Sequence, residues 1–332
     1  MFDEVAARGW GIVNLMNKRD AVRFYDDRYA QGYMEEWPLE EKQRVLDVIK
    51  SLDLPETGMA LDFGCGNGFF TDVIKQALPQ WDVYGVDISP IAVNKARTKY
   101  PHCSFSLVSH GLLDKKGCDF LLTHHVLEHV LDVAESWRVI NSYGKSRMSI
   151  LHILPCGNKG SFEYNLCALR VDGIDKEQGG RFVFEDNGHL RRLTAEQMND
   201  FAASHGFKLV FDLYNYQFFG AIDWISLGSF LSIIEMTDFR KSKDGISALK
   251  LMCLRGFFLL LKCMRVPANA IDYKRTMMNR YKYYLFFMML FVFYPISKLT
   301  NVCLRHLTAA EWKRNNHRKN GSEMYLYYTR CA

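Results

Sequence analysis

The nine cysteines contain no Cys-x-x-Cys pair, and both their odd number and their irregular spacing exclude a disulfide framework and a cysteine-built zinc site. Such cysteine usage fits a reducing compartment. No uncharged run reaches the roughly 20 residues that a membrane-spanning helix needs. The densest, Tyr283 to Ile296, has 14 residues without a charge and stands between Lys282 and Lys298. No secretory signal is expected, because Asp3 and Glu4 precede any apolar run, and the cytoplasm is the expected location. No Gly-Lys-Ser/Thr follows the glycines of the chain's one glycine cluster, which excludes a P-loop. A single compact basic patch, Lys313–Lys319, reads as a solvated loop without the pattern of a nucleic-acid reader, so no nucleic-acid partner is expected.

What is present is a large apolar fraction, 48% of 332 residues, enough for a sizeable core, and one informative stretch. Leu61-Asp62-Phe63-Gly64-Cys65-Gly66-Asn67-Gly68-Phe69-Phe70 sets a short apolar strand, a glycine turn and a helix start within ten residues. Glycines at a strand-to-helix turn let a ligand approach the backbone closely. A second strand-like run, Trp81–Val86, ends on Asp87, where a carboxylate can accept hydrogen bonds from both hydroxyls of a ribose. The spacing G-x-G-x-G differs from the dinucleotide fingerprint G-x-G-x-x-G. Asp62, two residues before the first glycine, would repel a pyrophosphate and suits a ligand with a cationic amino group.

In this stretch the chain resembles the class I S-adenosylmethionine-dependent methyltransferases, in the subgroup that includes ubiquinone-biosynthesis O-methyltransferases. Four further segments match in order: Cys118–Thr123 as a fourth strand, His124–Val130 as the following Leu-Glu-His-Val segment, Ser149–Pro155 as a fifth strand, and Gly188–Thr194 as the lead-in to a helix ending near Gly206. The resemblance covers roughly residues 20–215 and the last ten. It implies S-adenosyl-L-methionine as cofactor, held by Asp62, Gly64, Cys65, Gly66, Asn67 and Gly68, with Asp87 and Ile88 at the ribose and His124 at its border. The family's acid at the adenine is missing, since Ser109-His110-Gly111 follows the third strand, so Ser109 or a backbone group is expected there. Cys65 reads as a small filler and not as a nucleophile, because methyl transfer from a sulfonium needs no covalent intermediate. His125 and His129 are the candidate bases, expected one turn apart on a helix with Glu128 beside them. The related O-methyltransferases carry Glu-x-x-Glu-His with a divalent metal; His125 replaces the first acid here, and no metal ligand is assigned. His152 is expected as a core histidine, and His189 as a helix-start residue.

Strands and helices alternate through residues 59–155 at βαβ intervals. The expected fold is therefore α/β, a Rossmann-like, mostly parallel seven-stranded sheet with helices on both faces. Residues 1–57 read as a helical lead-in, with an apolar stripe at Leu39, Val45, Leu46, Ile49 and Leu52. The family resemblance implies that it folds over the cofactor, with Tyr25 or Tyr33 touching it, and core packing is the alternative for each. Residues 58–219 read as the methyltransferase core. The long connection 156–190 reads as an acceptor-binding wall. Lys208–Tyr214 and Glu323–Thr329 read as the last two strands, so that 320–332 closes the sheet and 220–319 is a helical insertion between them. Helices are expected over Ile222–Ile234, Ile246–Val266 and Tyr273–Leu304.

The insertion carries 17 Lys and Arg against 6 Asp and Glu, whereas residues 1–219 carry 24 against 30. Its phenylalanine-rich, cation-flanked helices suit either a position in the headgroup region of an anionic membrane, at its inner face, or burial internally or across a homodimer. The acceptor expected from this is a hydrophobic or lipid-linked small molecule, and the family resemblance alone implies methylation on oxygen. Two competing readings are a soluble small-molecule methyltransferase whose insertion is a lid or dimer interface, and a non-catalytic cofactor-binding scaffold.

Overall fold

A computed structural model describes residues 18–35, 37–108, 117–177, 179–186, 188–274 and 284–331, with the backbone alone for 18–19, 272–274 and 284–290. Its first half contains helices α1 (Lys18–Ala30) and α2 (Leu39–Lys50), then β1 (Met59–Phe63), α3 (Phe69–Ala77), β2 (Asp82–Asp87), α4 (Pro90–Lys99) and β3 (Ser104–Leu107). There follow β4 (Cys118–His124), α5 (Val133–Ser142), β5 (Gly144–Pro155), α6 (Phe162–Cys167), β6 (Ile174–Asp175), β7 (Arg181–Phe182), α7 (Ala195–Ser204) and β8 (Phe207–Asn215). The last elements are α8 (Phe219–Leu227), α9 (Phe230–Met236), a 3-10 turn (Phe239–Lys241), α10 (Gly245–Lys274), α11 (Tyr284–Asn315) and β9 (Glu323–Arg330). The chain forms two compact units.

Among its described residues, one unit comprises 18–35, 37–108, 117–155, 194–212 and 324–331. The seven-stranded sheet runs in the order β3-β2-β1-β4-β5-β9-β8, and β1 to β5 pair in parallel. At the far edge, Ser322 N–H donates to Asn215 O and Cys331 N–H to Gly206 O, so β9 and β8 run antiparallel. The expected α/β fold, with helices inserted between the last two strands, is what forms. β1 and β4 are buried nearly end to end, as parallel strands covered on both faces are. Beneath the β4–β5 pair, Trp137, His152 and Tyr328 are fully buried. The Thr123 hydroxyl lies 2.7 Å from His152 Nδ1, and burial holds this imidazole at about 3, hence neutral. The strand order reverses between β1 and β4, and open α/β sheets place ligands beyond the strand ends at such a point.

The α2 stripe buries Val45, Val48, Ile49 and Leu52, but Leu39 is exposed because it stands at the first position of the helix, before the stripe meets the core. Residues 125–129 are not helical. After β4 the chain enters a turn in which His129 N–H donates to Val126 O, and His125 takes φ +53°. The fully buried Leu127 anchors this turn, whereas the sequence spacing alone had suggested a helix.

The other unit comprises 156–193 and 213–323 among its described residues. The segment 156–190 is not a structureless loop: it carries α6 and the antiparallel β6–β7 hairpin. A buried ionic knot explains its order. The Arg192 guanidinium lies 2.7 Å from Glu163 and 3.1 Å from Glu185, above the Phe182 ring, and Trp224 Nε1–H donates to Glu163 Oε1. The expected helix 222–234 breaks in two at Gly228, and Ser229 caps α9 by accepting from Ser232 N–H. The Glu311 carboxylate of α11 accepts three N–H bonds from Phe218, Phe219 and Gly220, satisfying the otherwise uncapped start of α8. α10 and α11 run on through Pro267 and Pro295 and pack on one another. α10 extends beyond the expected Val266 to Lys274, and α11, Tyr284–Asn315, extends beyond the expected Leu304, while 275–283 lie outside the described residues. No helix among the described residues is long and apolar enough to cross a membrane.

Candidate active site

The turn between β1 and α3 is held by backbone geometry. Gly64 and Cys65 N–H groups both donate to Val86 O, at 2.8 and 2.9 Å, which ties the loop to the end of β2. Gly66 N–H donates to Asp87 Oδ2 at 2.9 Å, and Ser89 N–H to Asp87 Oδ1 at 2.9 Å. Burial raises the Asp87 carboxyl above the ordinary aspartate range, against the opposing pull of amide groups at Ser89, Gly66 and Ile88. Ile88, half-buried, follows it in the bend before α4.

The glycines serve different ends. At Gly64 a β-carbon would lie 2.5 Å from Val126, and at Gly68 2.9 Å from Ala96 and Phe105, so these two are required by packing. Gly66 has φ +51°, and a β-carbon there would lie 2.7 Å from the Tyr29 hydroxyl. It is the position where the Tyr29 hydroxyl comes close to the loop backbone. Cys65 is buried with Val93, Ala96 and Phe105, and burial lifts its thiol pKa, as a filler's would be lifted. The Asn67 side-chain amide donates to Tyr33 O and Met34 O, binding the lead-in to the loop, and its buried Oδ1 has no partner among the described residues.

Asp62 sits at the end of β1, 1% exposed, and accepts from the Thr71 hydroxyl at 2.6 Å. Burial, with a smaller contribution from the Asp87 charge, raises its pKa to about 7. This carboxyl is thus poised to change charge near neutrality when a cation arrives.

His124, at the end of β4, stacks on Phe70 with ring centroids 3.7 Å apart and meets the edge of Trp37. Its Nε2 is 3.7 Å from Glu41, which also accepts from Tyr325 O–H at 2.7 Å and pairs with Arg44. Burial works to raise Glu41, but the Arg44 charge, the neighbouring His124 imidazole and the Tyr325 hydrogen bond outweigh it and hold Glu41 at about 2. His125 Nδ1 lies 3.0 Å from Oε1 of the buried Glu128. His129 meets the edge of the Tyr25 ring at 5.8 Å. Ser109 lies outside the described residues.

The lead-in folds against the loop, and Tyr29, not Tyr25 or Tyr33, reaches Gly66. Tyr29 is buried, its own carbonyl accepts from Lys95 Nζ, and the Asp26 carboxylate accepts from the Ser89 hydroxyl, which fixes α1 against α4. The i, i+4 spacing of Tyr25 and Tyr29 on α1 was the available signal. For Glu41 and Tyr325 there was none, as they are 284 residues apart.

A family described as "Methyltransferase domain" matches residues 24–211. The chain belongs to this family. Trans-aconitate 2-methyltransferase of Methylobacterium radiotolerans is 27% identical to it over 96 residues, which are 29% of this chain and 37% of that enzyme. Among solved structures, the plantazolicin methyltransferase in complex with a triazolic desmethyl analogue and S-adenosylhomocysteine shares 12% identity at TM-score 0.43, with 95% of this chain and 91% of that one covered. A S-adenosylmethionine-dependent methyltransferase from Clostridium acetobutylicum shares 12% identity at TM-score 0.40, covering 60% and 92%.

The cofactor expected from the glycine loop and Asp87 is S-adenosylmethionine, and the site residues fit it. Each carboxylate oxygen has two acceptor positions. Asp87 accepts backbone N–H groups on both oxygens, and its remaining acceptor capacity suits a diol. Asn67 Oδ1 is a buried acceptor that lacks a donor among the described residues, and a β-carbon at Gly66 would crowd the Tyr29 hydroxyl that covers the loop.

Proposed function

We propose that this chain transfers a methyl group from S-adenosylmethionine to an oxygen of a hydrophobic or lipid-linked small molecule. The observation that carries the transfer is the clasp of Gly66 and Asp87, a glycine loop and a strand-end carboxylate joined by one hydrogen bond. When bound, the cofactor supplies a methyl group already activated by sulfonium charge. The protein's work is then alignment and proton removal. Gly64, Gly66 and Gly68 shape the loop, with Cys65 packed beneath it. Asp87 and Ile88 hold the ribose, Asn67 and Asp62 take the polar ends, and His124 borders the site from β4. His125 is the proposed base. With Nδ1 turned to the Glu128 carboxylate, Nε2 is the nitrogen that accepts a proton. His129 orients the turn through Tyr25.

The apolar, basic insertion and the resemblance to ubiquinone-biosynthesis O-methyltransferases support a hydrophobic oxygen acceptor. The relative named for trans-aconitate supports a second reading, in which the acceptor is a water-soluble acid. Labelled S-adenosylmethionine incubated with lipid and aqueous extracts of the source cell separates the two. Label is expected in the organic phase, and label confined to the aqueous phase selects the second reading. Calorimetry with S-adenosylhomocysteine tests the site itself; absence of binding by the wild type would remove the proposal.

A further inference from the structure

Helix α10 is turned inside out relative to a helix of a water-soluble unit. Between Gly245 and Ala268 it carries four cationic side chains and no acid. Three of the four turn towards their own unit. Arg255 donates to Ile234 O and Thr237 O, Lys262 to Leu227 O, and Arg265, nearly fully buried, to Asp223 O and Asn301 Oδ1 beside the Asp223 carboxylate. These bonds take carbonyls within and at the end of α8 and at the end of α9, and fix the rotation of α10.

The opposite face is apolar. Ile246, Leu249, Cys253, Phe257, Leu260 and Met264 recur at helical spacing and are all exposed, Ile246 by 70%, Leu249 by 62% and Leu260 by 63%. At 1.5 Å per residue this stripe is about 27 Å long. Phe230 and Leu231 of α9 and Val292, Ile296 and Leu299 of α11 are exposed as well. Soluble monomers rarely expose contiguous apolar surface on this scale. Lys243 and Lys250, both exposed, stand at the N-terminal end of the stripe.

We infer that this face docks on an anionic bilayer surface, with the apolar stripe lying in the interfacial layer and the lysines in the headgroups. The inference deepens the reading of a lipid-borne acceptor, on which its purpose rests. Charge selects the occupant. The segment 220–319 carries 17 cationic against 6 acidic residues. Three of those acids are engaged within the unit, Asp223 with Arg265, Asp238 with Arg240 and Glu311 with the start of α8. A second copy would bring the same uncompensated charge to the contact, whereas anionic lipid attracts each lysine near its surface. A helix lying in the interface needs an apolar face flanked by cations, and it need not be long enough to span.

The test is flotation of the full chain with vesicles of phosphatidylcholine alone and of phosphatidylcholine with phosphatidylglycerol. The wild type is expected to float with the anionic vesicles and to lose much of that binding at high salt. Replacing Leu249→Glu and Leu260→Glu together should lower the partition coefficient roughly a hundredfold, since two leucines lose their apolar environment. Both side chains are exposed, so binding of S-adenosylhomocysteine should persist and report an intact fold. If that variant fails to fold, Lys243→Glu with Lys250→Glu should lower anionic binding roughly tenfold or more. A wild type that stays at the bottom with both vesicles overturns the inference, as does a leucine variant that floats as well as the wild type. Sedimentation showing a wild-type dimer that the leucine substitutions dissociate overturns it as well. Flotation reads attachment without methyl transfer, and the extract screen reads transfer without attachment, so either reading can fail alone.

Discussion

Replacing Asp62→Asn isolates the charge of one buried carboxyl. Asn keeps an acceptor for the Thr71 hydroxyl, which now bonds Asp62 at 2.6 Å, and changes volume little. The folded-state pKa of Asp62 is raised from the ordinary 3.8 to about 7, chiefly by burial. Between those values the folded protein keeps a proton that the unfolded chain has released, so stability falls as pH rises through this window. A rise of that size corresponds to roughly 4 kcal/mol at pH above 7. The variant escapes this cost. Its stability should match the wild type near pH 4 and exceed it at pH 8 by about 4 kcal/mol, a midpoint shift on the order of 10 °C. Thermal unfolding without cofactor, followed from pH 4 to 8, reads the difference. The same carboxyl should favour a cationic ligand, so wild-type binding of S-adenosylhomocysteine near pH 6 should release protons, detected by calorimetry in buffers of different ionisation enthalpy. The variant should release fewer and bind more weakly. A variant equally destabilised at pH 5 and pH 8 would refute the reasoning.

Three further outcomes are expected. Gly66→Ala introduces a β-carbon 2.7 Å from the Tyr29 hydroxyl at φ +51°; calorimetry should show cofactor affinity falling more than about tenfold, and Tyr29→Phe in the same chain should restore part of it, with a coupling of roughly 0.5–3 kcal/mol. Arg192→Ala leaves Glu163 and Glu185 buried without their cation, and urea unfolding should show a loss of about 3–5 kcal/mol; a loss near zero would mean that the knot does not order 156–193. His125→Ala should lower kcat by roughly 10²- to 10⁴-fold on an acceptor hydroxyl that needs deprotonation, while the affinity for S-adenosylhomocysteine stays within about twofold of wild type; an unchanged kcat assigns the base elsewhere.

Much of the sheet and of the cofactor loop could be read from the sequence because the signals are local. Glycine turns, the acid at a strand end and the alternation of strands with helices each occupy a few consecutive residues. The turn at His125–His129 was misread for the same reason. Its i, i+4 spacing is shared by helices and by turns, and only the anchoring of Leu127 in the core selects the turn. The connection 156–190 looked structureless because its order comes from Arg192, which closes on Glu163 from 29 residues away.

By itself the sequence determined the fold class, the glycine loop with Asp87, and the excess of positive charge on the insertion. Tertiary structure alone decided that Tyr29 covers Gly66, that Glu41 and Tyr325 meet beside His124, and which face of α10 points outwards. The last is the clearest case. Helical periodicity gives the apolar stripe and the cations of α10 without saying which side is inside. Carbonyls within and at the end of α8 and at the end of α9 draw Arg255, Lys262 and Arg265 inwards, and the apolar face is thereby left to the outside.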